Sequence, residues 1–354
     1  MKNNKIKKSK LSNFKNKLDF WATNSEEGGW NISSTDEGSQ KMLENENEKQ
    51  IKIQTGTEVV DDFVIDEDTS DDERMIVNMG PQHPSTHGVL RLQAELEGEV
   101  VRRVKPIIGY LHTGMEKTGE ELNYFQGPTN TTRMDYLSPL FNELVFSLTT
   151  EKLIGIEVPK RAETIRILMT ELNRVSSHLV ALATGGMDIG ALSMMIFGFR
   201  ERELILNFFE KTTGLRMNHN YIRPGGVAAD LPDGWQKDVE EILKIIPEKL
   251  QDYDDMLLDN PIWKGRLQNV GILTTEECFA YGVTGPSLRA SGYSWDLRKS
   301  QPYSGIENYE FDVPTLTEGD VFARWRVKVL EIFESLKIIE PVSYTHLRAH
   351  ETDR

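Results

Sequence analysis

Behind Pro159, the residues Ile165, Leu168, Leu172, Val175, Leu179 and Leu182 return at i, i+3, i+4 and i+7 spacing. That period lines one side of an α-helix, and such a stripe has to be buried against other elements. The requirement points to a packed helical domain. The same period recurs along the chain. Leu140, Leu144 and Leu148 return every fourth residue, and Ile196 to Thr213 reads as a helix ended by Gly214. Trp235 to Leu258 reads as one amphipathic helix broken or kinked at Pro247. Asp320 can cap a last helix, with Trp325, Val329, Leu336 and Ile339 on one side and a stop at Pro341.

Strand signals are confined to the N-terminal edge of this region. Val89 to Leu96 alternates in part, Glu97-Gly98 is a turn signal, and Glu99 to Val104 can return, which predicts a β-hairpin over 88–105. Glycine, proline and serine mark irregular segments over 221–233 and 282–313. The expected class is α+β, mainly α-helical, with a small N-terminal hairpin or sheet. Leu179 to Phe199 is apolar enough to raise the question of a membrane span, yet Asp188 sits mid-run beside Gly185, Gly186 and Gly190. The charge is costly in lipid and glycines weaken a helix, so two buried helical pieces joined at Gly185-Gly186 are expected instead.

Residues 1–74 read as a disordered extension, lysine- and asparagine-rich and then acidic from Asp61 to Glu73, with few aromatics to bury. A solvated tail is the plain reading; a docking arm for a basic partner is the other. No secretory signal is visible, and the absence of arginine before Arg74 argues against a mitochondrial transit peptide. The net charge of -15 argues against nucleic acid as a partner. The single cysteine, Cys278, can neither close an internal disulfide nor hold an iron–sulfur cluster alone. A metal redox centre serving this chain therefore has to sit on a partner.

Four places could carry chemistry. His83 and His87 stand in the run from Gly80 to Gly88 with Pro84 between them, so this is a loop and the helical spacing of a metal pair does not apply. A histidine here either faces a ligand beside Gly88 or ties down the hairpin entry by hydrogen bonds. Arg133-Met134-Asp135-Tyr136 offers a permanent charge and a phenol, although Tyr136 also fits as an ordinary half-buried aromatic. Asp188, if buried, must pair, bind or stay protonated; it can equally cap the second helical piece. Arg161, Glu163 and Arg166, and the run Arg200 to Glu203, read as solvated faces or structural pairs. No dinucleotide-binding glycine motif, phosphate-binding loop or Gly-x-Ser-x-Gly elbow is present.

Nine runs, taken in order, resemble one family. They are GPQHPSTHGVLR at 80–91, IGYLHTGMEK at 108–117, RMDYLSP at 133–139, RAETIR at 161–166, ELNRVSSHL at 171–179, FRERE at 199–203, YIRPGG at 221–226, SLRASG at 287–292 and DLRKSQPYSGIENYEFDVP at 296–314. All look like the quinone-site D subunit of the proton-pumping NADH:quinone oxidoreductase, respiratory complex I. The resemblance covers 75–340. It implies a protein that forms the quinone-binding and reduction site and couples electron transfer to proton translocation. The implied catalytic and quinone-binding residues are His87 and Tyr136, with Asp188 pairing with the histidine as the charge-coupling acid. Arg133 and Asn218 would lie near an iron–sulfur cluster held by a partner, and no metal would be bound by this chain. Implied partners are the cluster-bearing B subunit, the C subunit and the membrane-arm subunits, at the cytoplasmic side of a bacterial inner membrane.

The fold is similar, too, to the large subunit of nickel–iron hydrogenases, where cysteines hold metals. Asp135 and Ser138 stand at the first such pair here, and neither is a thiolate. Two departures matter. Many family members have a histidine where this chain has Asn218, which cannot titrate; this favours menaquinone over ubiquinone. The family also continues beyond Glu340, whereas 341–354 reads as an unrelated tail. A non-catalytic assembly scaffold or truncated fragment of the same complex is the alternative.

Overall fold

The computed structural model describes residues 74–82 and 89–343. The extension expected over 1–74 lies outside these residues except for Arg74, as does the expected tail beyond Ser343. Strands β1 (Arg74–Met79), β2 (Arg91–Glu97) and β3 (Val100–Ile107) form an antiparallel sheet in the order β1-β2-β3. The β2–β3 pair is the expected hairpin. Its turn needs the left-handed backbone that Gly98 supplies at φ 59. β1 is not signalled by alternation, and it pairs from Arg74 opposite Glu97 to Met79 opposite Leu92. Met79 and Leu92 thus close the β1–β2 pairing at one end of the sheet.

The helices follow in chain order: α1 (Met115–Glu121), α2 (Gly127–Thr131), α3 (Pro139–Ile154), α4 (Lys160–Asp188), α5 (Leu192–Thr213), α6 (Trp235–Leu257), α7 (Pro261–Leu267), α8 (Thr275–Ala280), α9 (Gly285–Ala290), α10 (Leu297–Ser300) and α11 (Val321–Pro341). A two-residue ribbon, β4 (Ile222–Arg223) with β5 (Gly226–Val227), interrupts the irregular segment after α5. The fold is thus mainly helical α+β. α4 is its axis, packed against α3, α5 and α11. The stripe from Ile165 to Leu182 is fully buried, as its period requires. Yet polar residues outside this stripe are buried as well: Arg166, Glu171, Asn173, Ser176 and His178.

Two sequence expectations are corrected here. Gly185 and Gly186 do not divide the helix, because α4 runs unbroken to Asp188 and the chain turns only at Ile189–Ala191. A Cβ on Gly186 would stand 2.7 Å from the Met194 side chain, and one on Gly198 would stand 2.7 Å from Ala183 Cβ. These glycines let α4 and α5 approach closely, and the packing outweighs a helix-propensity cost of about 1 kcal/mol each. Asp188 is the last residue of α4 and is exposed, so it neither lies buried nor caps α5, whose N-cap is Ala191. α6 also continues through Pro247. Burial of Val239, Ile242, Ile246, Leu250 and Tyr253 carries it past the missing hydrogen bond. Asp320 caps α11 as expected, accepting from the Ala323 N–H at 2.7 Å. Among the described residues no helix is long and apolar enough to cross a membrane.

Candidate functional site

Tyr136 sits on the turn between α2 and α3, and one buried side chain on α4 holds that turn from both sides. Asn173 donates through Nδ2 to the Leu137 carbonyl at 3.0 Å and accepts at Oδ1 from the Leu140 N–H at 3.1 Å. One helical turn further on, the Ser138 hydroxyl donates to Ser177 Oγ at 3.3 Å. Asn142 reaches back to the Asp135 carbonyl at 3.1 Å, and Arg133 folds onto the Thr129 carbonyl. The backbone is pinned while the phenol is not: Tyr136 is 49% exposed and makes no hydrogen bond among the described residues. A phenol so presented is available to an incoming acceptor.

Asp188 lies at the far end of α4, roughly 16 Å along the helix axis from Ser177 at about 1.5 Å per residue. Among the described residues no hydrogen bond or ion pair joins Arg133 to Asn218. His87 lies outside those residues. The root of its loop is tied down by Arg91, which donates to Asn78 Oδ1 at 3.1 Å and to the Tyr110 hydroxyl at 3.4 Å.

Asn218 follows α5 in a left-handed conformation, φ 57, and its side-chain oxygen is buried without a donor. The segment after it is held by two buried acids of α3. Glu143 accepts the backbone N–H groups of Asn220 at 2.5 Å and of Tyr221 and Ile222 at 2.9 Å each. Burial raises the Glu143 carboxyl above its ordinary value, against these donors. Glu151 accepts the Gly225 N–H at 2.8 Å and pairs with Arg166, which also donates to the Gly226 and Arg223 carbonyls. His219 is buried against Phe209 and hydrogen-bonded at Nδ1 to the Leu215 carbonyl at 3.0 Å. Burial holds it down at about 4.

Two further acids anchor the interior. Glu171 binds Arg298 at 3.0 Å, Arg174 at 3.1 Å and the Ser335 hydroxyl at 2.7 Å. Glu331 binds Arg289 and His178 at 2.7 Å each. Burial alone would raise the Glu331 carboxyl; the His178 hydrogen bond and the Arg289 charge outweigh it and hold it at about 2. Burial keeps His178 below the usual imidazole value. Sequence reasoning leaves Arg166 and Glu201 among solvated faces or structural pairs; both are buried, Arg166 paired with the buried Glu151 and Glu201 with the exposed Arg200. It passes over Asn173, Ser177, Glu143, Glu171 and Glu331. The available signal is positional, since α4's polar residues stand within a helix already marked as central.

Comparison with known proteins now bears on these residues. Residues 188–351 match the model of the family described as respiratory-chain NADH dehydrogenase, 49 Kd subunit. Similar proteins include the NADH-quinone oxidoreductase D subunit of Mycobacteroides abscessus, 55% identical over 293 residues, covering 82% of this chain and 68% of the relative. The chain belongs to this family. A D subunit of Salinispora arenicola is 60% identical over 275 residues, and that of Rhodococcus jostii is 60% identical over 271. These alignments cover 77% and 76% of this chain respectively, and 62% of each relative's length. The nine motif runs thus fall in a relative of these oxidoreductase proteins. The pinned turn of Tyr136, the Glu143-held 220–222 backbone and the Glu171 and Glu331 hubs describe how a chain of this family builds its interior.

Proposed function

We propose that this chain supplies the quinone-reduction site of an NADH:quinone oxidoreductase, with Tyr136 and His87 as the quinone-binding proton donors. The observation that carries the reading is a phenol left half-exposed on a turn that Asn173 fixes from α4. Quinone becomes quinol by gaining two electrons and two protons. The phenol gives one proton to one carbonyl oxygen and the imidazole gives the other, each a good donor when aimed at a basic oxygen. Asp188, on the exposed end of α4, fits the role of an acid behind His87. A carboxylate there favours the protonated ring and fixes its tautomer, and it is left without its counter-charge once the ring gives up a proton.

The electrons have to come from another chain. The single cysteine is buried, with its thiol on the Ser291 hydroxyl at 3.4 Å, and does not fit as a cluster ligand. The B subunit as the cluster carrier near Arg133 and Asn218, the C subunit, and the membrane-arm subunits are the proposed neighbours. The proposed location is the cytoplasmic side of a bacterial inner membrane. The non-titrating Asn218 favours menaquinone over ubiquinone.

The test is Tyr136→Phe, assayed in membranes for NADH:quinone turnover and, in parallel, for NADH oxidation by an artificial acceptor that bypasses the quinone. Loss of a positioned proton donor should lower quinone turnover by about 100-fold or more while the bypass rate stays unchanged. Full quinone turnover in an assembled complex overturns the assignment.

A further inference from the structure

Four arginines are buried among the described residues, and three are neutralised inside the chain. Arg166 pairs with Glu151, Arg289 with Glu331, and Arg298 with Glu171 and Asp296. Arg202, on α5, is the exception. It is 6% exposed, yet among the described residues no carboxylate lies within ion-pair distance of it. Its Nε donates to the Ser176 hydroxyl at 3.1 Å and its Nη2 to the Met217 sulfur at 3.4 Å, a weak acceptor. The Phe199 ring centroid stands 5.9 Å from the guanidinium carbon, at the outer edge of a cation–π contact. The neighbouring Arg216 adds charge of the same sign, and its own acids, Glu203 and Glu210, are already engaged by it.

A buried charge without a counter-charge is strongly unfavourable, so a chain that keeps one either tolerates the loss or completes the pair elsewhere. The surroundings favour completion. Phe199 and Met217, which meet the guanidinium, are large apolar residues left exposed, Leu215 two residues before Met217 is exposed as well, and the adjoining Asn218 oxygen is buried without a donor. An apolar collar around a desolvated arginine has the composition of the centre of a protein interface, where charges are few and arginine anchors are enriched. So little of the guanidinium is reachable that its partner must be slender. A side-chain carboxylate matches its planar fork, whereas a lipid phosphate would bring bulky esters.

We propose that Arg202 is a docking cation for a carboxylate carried by a neighbouring protein of the assembly, with Phe199, Leu215 and Met217 as the apolar rim of that contact. This rests on the reading of the chain as one member of a multi-protein complex.

The experiment compares wild type, Arg202→Met and Arg202→Lys in membranes. Native gels measure how much of the chain enters the NADH-oxidising complex, and limited proteolysis measures its folding. The methionine variant should be incorporated at least about 10-fold less, because the partner's acid is left buried and unpaired. The lysine variant, which keeps the charge, should recover a substantial part. Proteolytic resistance of the unincorporated chain should be unchanged or higher in the methionine variant, since an unbalanced charge has been removed. Wild-type incorporation of Arg202→Met overturns the proposal, and so does accelerated proteolysis of both variants, which marks a structural role. A map of the assembled complex gives an independent reading. A partner carboxylate within about 4 Å of the guanidinium is expected; solvent, a metal centre or a lipid phosphate in that place overturns the assignment. If the wild-type chain enters no NADH-oxidising complex, the proposed function itself has failed, which is a different result.

Discussion

The polar residues along α4 and the segments at 108–136 and 189–218 treat charge and apolar surface in opposite ways. Along α4, polar groups are taken out of water and closed within the chain: Arg166 on Glu151, Glu171 on Arg298, His178 on Glu331. In the segments at 108–136 and 189–218, large apolar residues such as Ile108, Phe125, Met134 and Ile196 stay exposed, and Arg202 stays unbalanced. The first pattern belongs to a surface that is finished by folding. The second belongs to one finished by something else, since exposed apolar clusters and unpaired buried charges are what association removes. Rigidity and reactivity are thereby separated. The closed ladder fixes the scaffold, and the open segments carry the groups proposed to meet quinone and partner.

The sharpest way to break this contrast is to turn a closed charge into an open one. Glu331→Ala leaves Arg289 with only the Trp295 carbonyl at 2.8 Å, the same predicament as Arg202. Stranding a buried partner typically costs roughly 3–5 kcal/mol, read as a lowered midpoint in chemical unfolding. Adding Arg289→Met should restore a good part of that loss. A Glu331→Ala variant as stable as wild type would remove the distinction between the two regions.

His219 gives a somewhat smaller and pH-dependent effect. Burial lowers it from 6.5 to about 4 in the folded chain. Between those values the unfolded chain binds a proton that the folded chain refuses, so stability is complete above about 6.5 and falls as the pH drops to about 4. The shift corresponds to roughly 3 kcal/mol. His219→Asn keeps a donor in place of Nδ1–H but cannot titrate, and should flatten the unfolding midpoint over that window. Glu331, held at about 2, loses its contribution only below its unfolded value of 4.5, so the two effects occupy mostly separate ranges. An unchanged pH slope in His219→Asn would show that the loop opens to water before the helices unfold.

Much of this is legible in the residues, and the remainder fails for identifiable reasons. Apolar period locates α3 to α6 and α11, because burial of a stripe is a local demand that sequence must meet. Short helices such as α1, α8 and α9 leave no such trace, since a few turns of chain bury too little to need a pattern. β1 escapes notice because its identity lies in pairing with β2 and not in its own alternation. The break expected at Gly185-Gly186 is wrong because glycine's propensity is local while its use here, close approach of Met194, is tertiary. The resemblance names Tyr136, Asp188 and Asn218, but only geometry shows that Asp188 is exposed at a helix end. It is also geometry that identifies Asn173 as the residue behind Tyr136.

Asn173 is where the two regions touch, and it yields the smallest expected change in stability with the most specific readout. Its amide spans the turn from the Leu137 carbonyl to the Leu140 N–H while lying buried on α4. Asn173→Ala leaves a part-buried carbonyl and a buried N–H without this partner, a loss of about 1–3 kcal/mol. If the amide serves only the scaffold, turnover should follow stability and recover once the complex is stabilised by other means. If it positions the phenol, turnover should fall further than stability predicts, with a raised KM for quinone. The double variant with Tyr136→Phe separates these outcomes. A positioning residue acting through Tyr136 adds nothing to turnover once the hydroxyl is gone, whereas two independent losses multiply. Multiplicative losses would mean that the closed ladder and the open site are not joined at this turn.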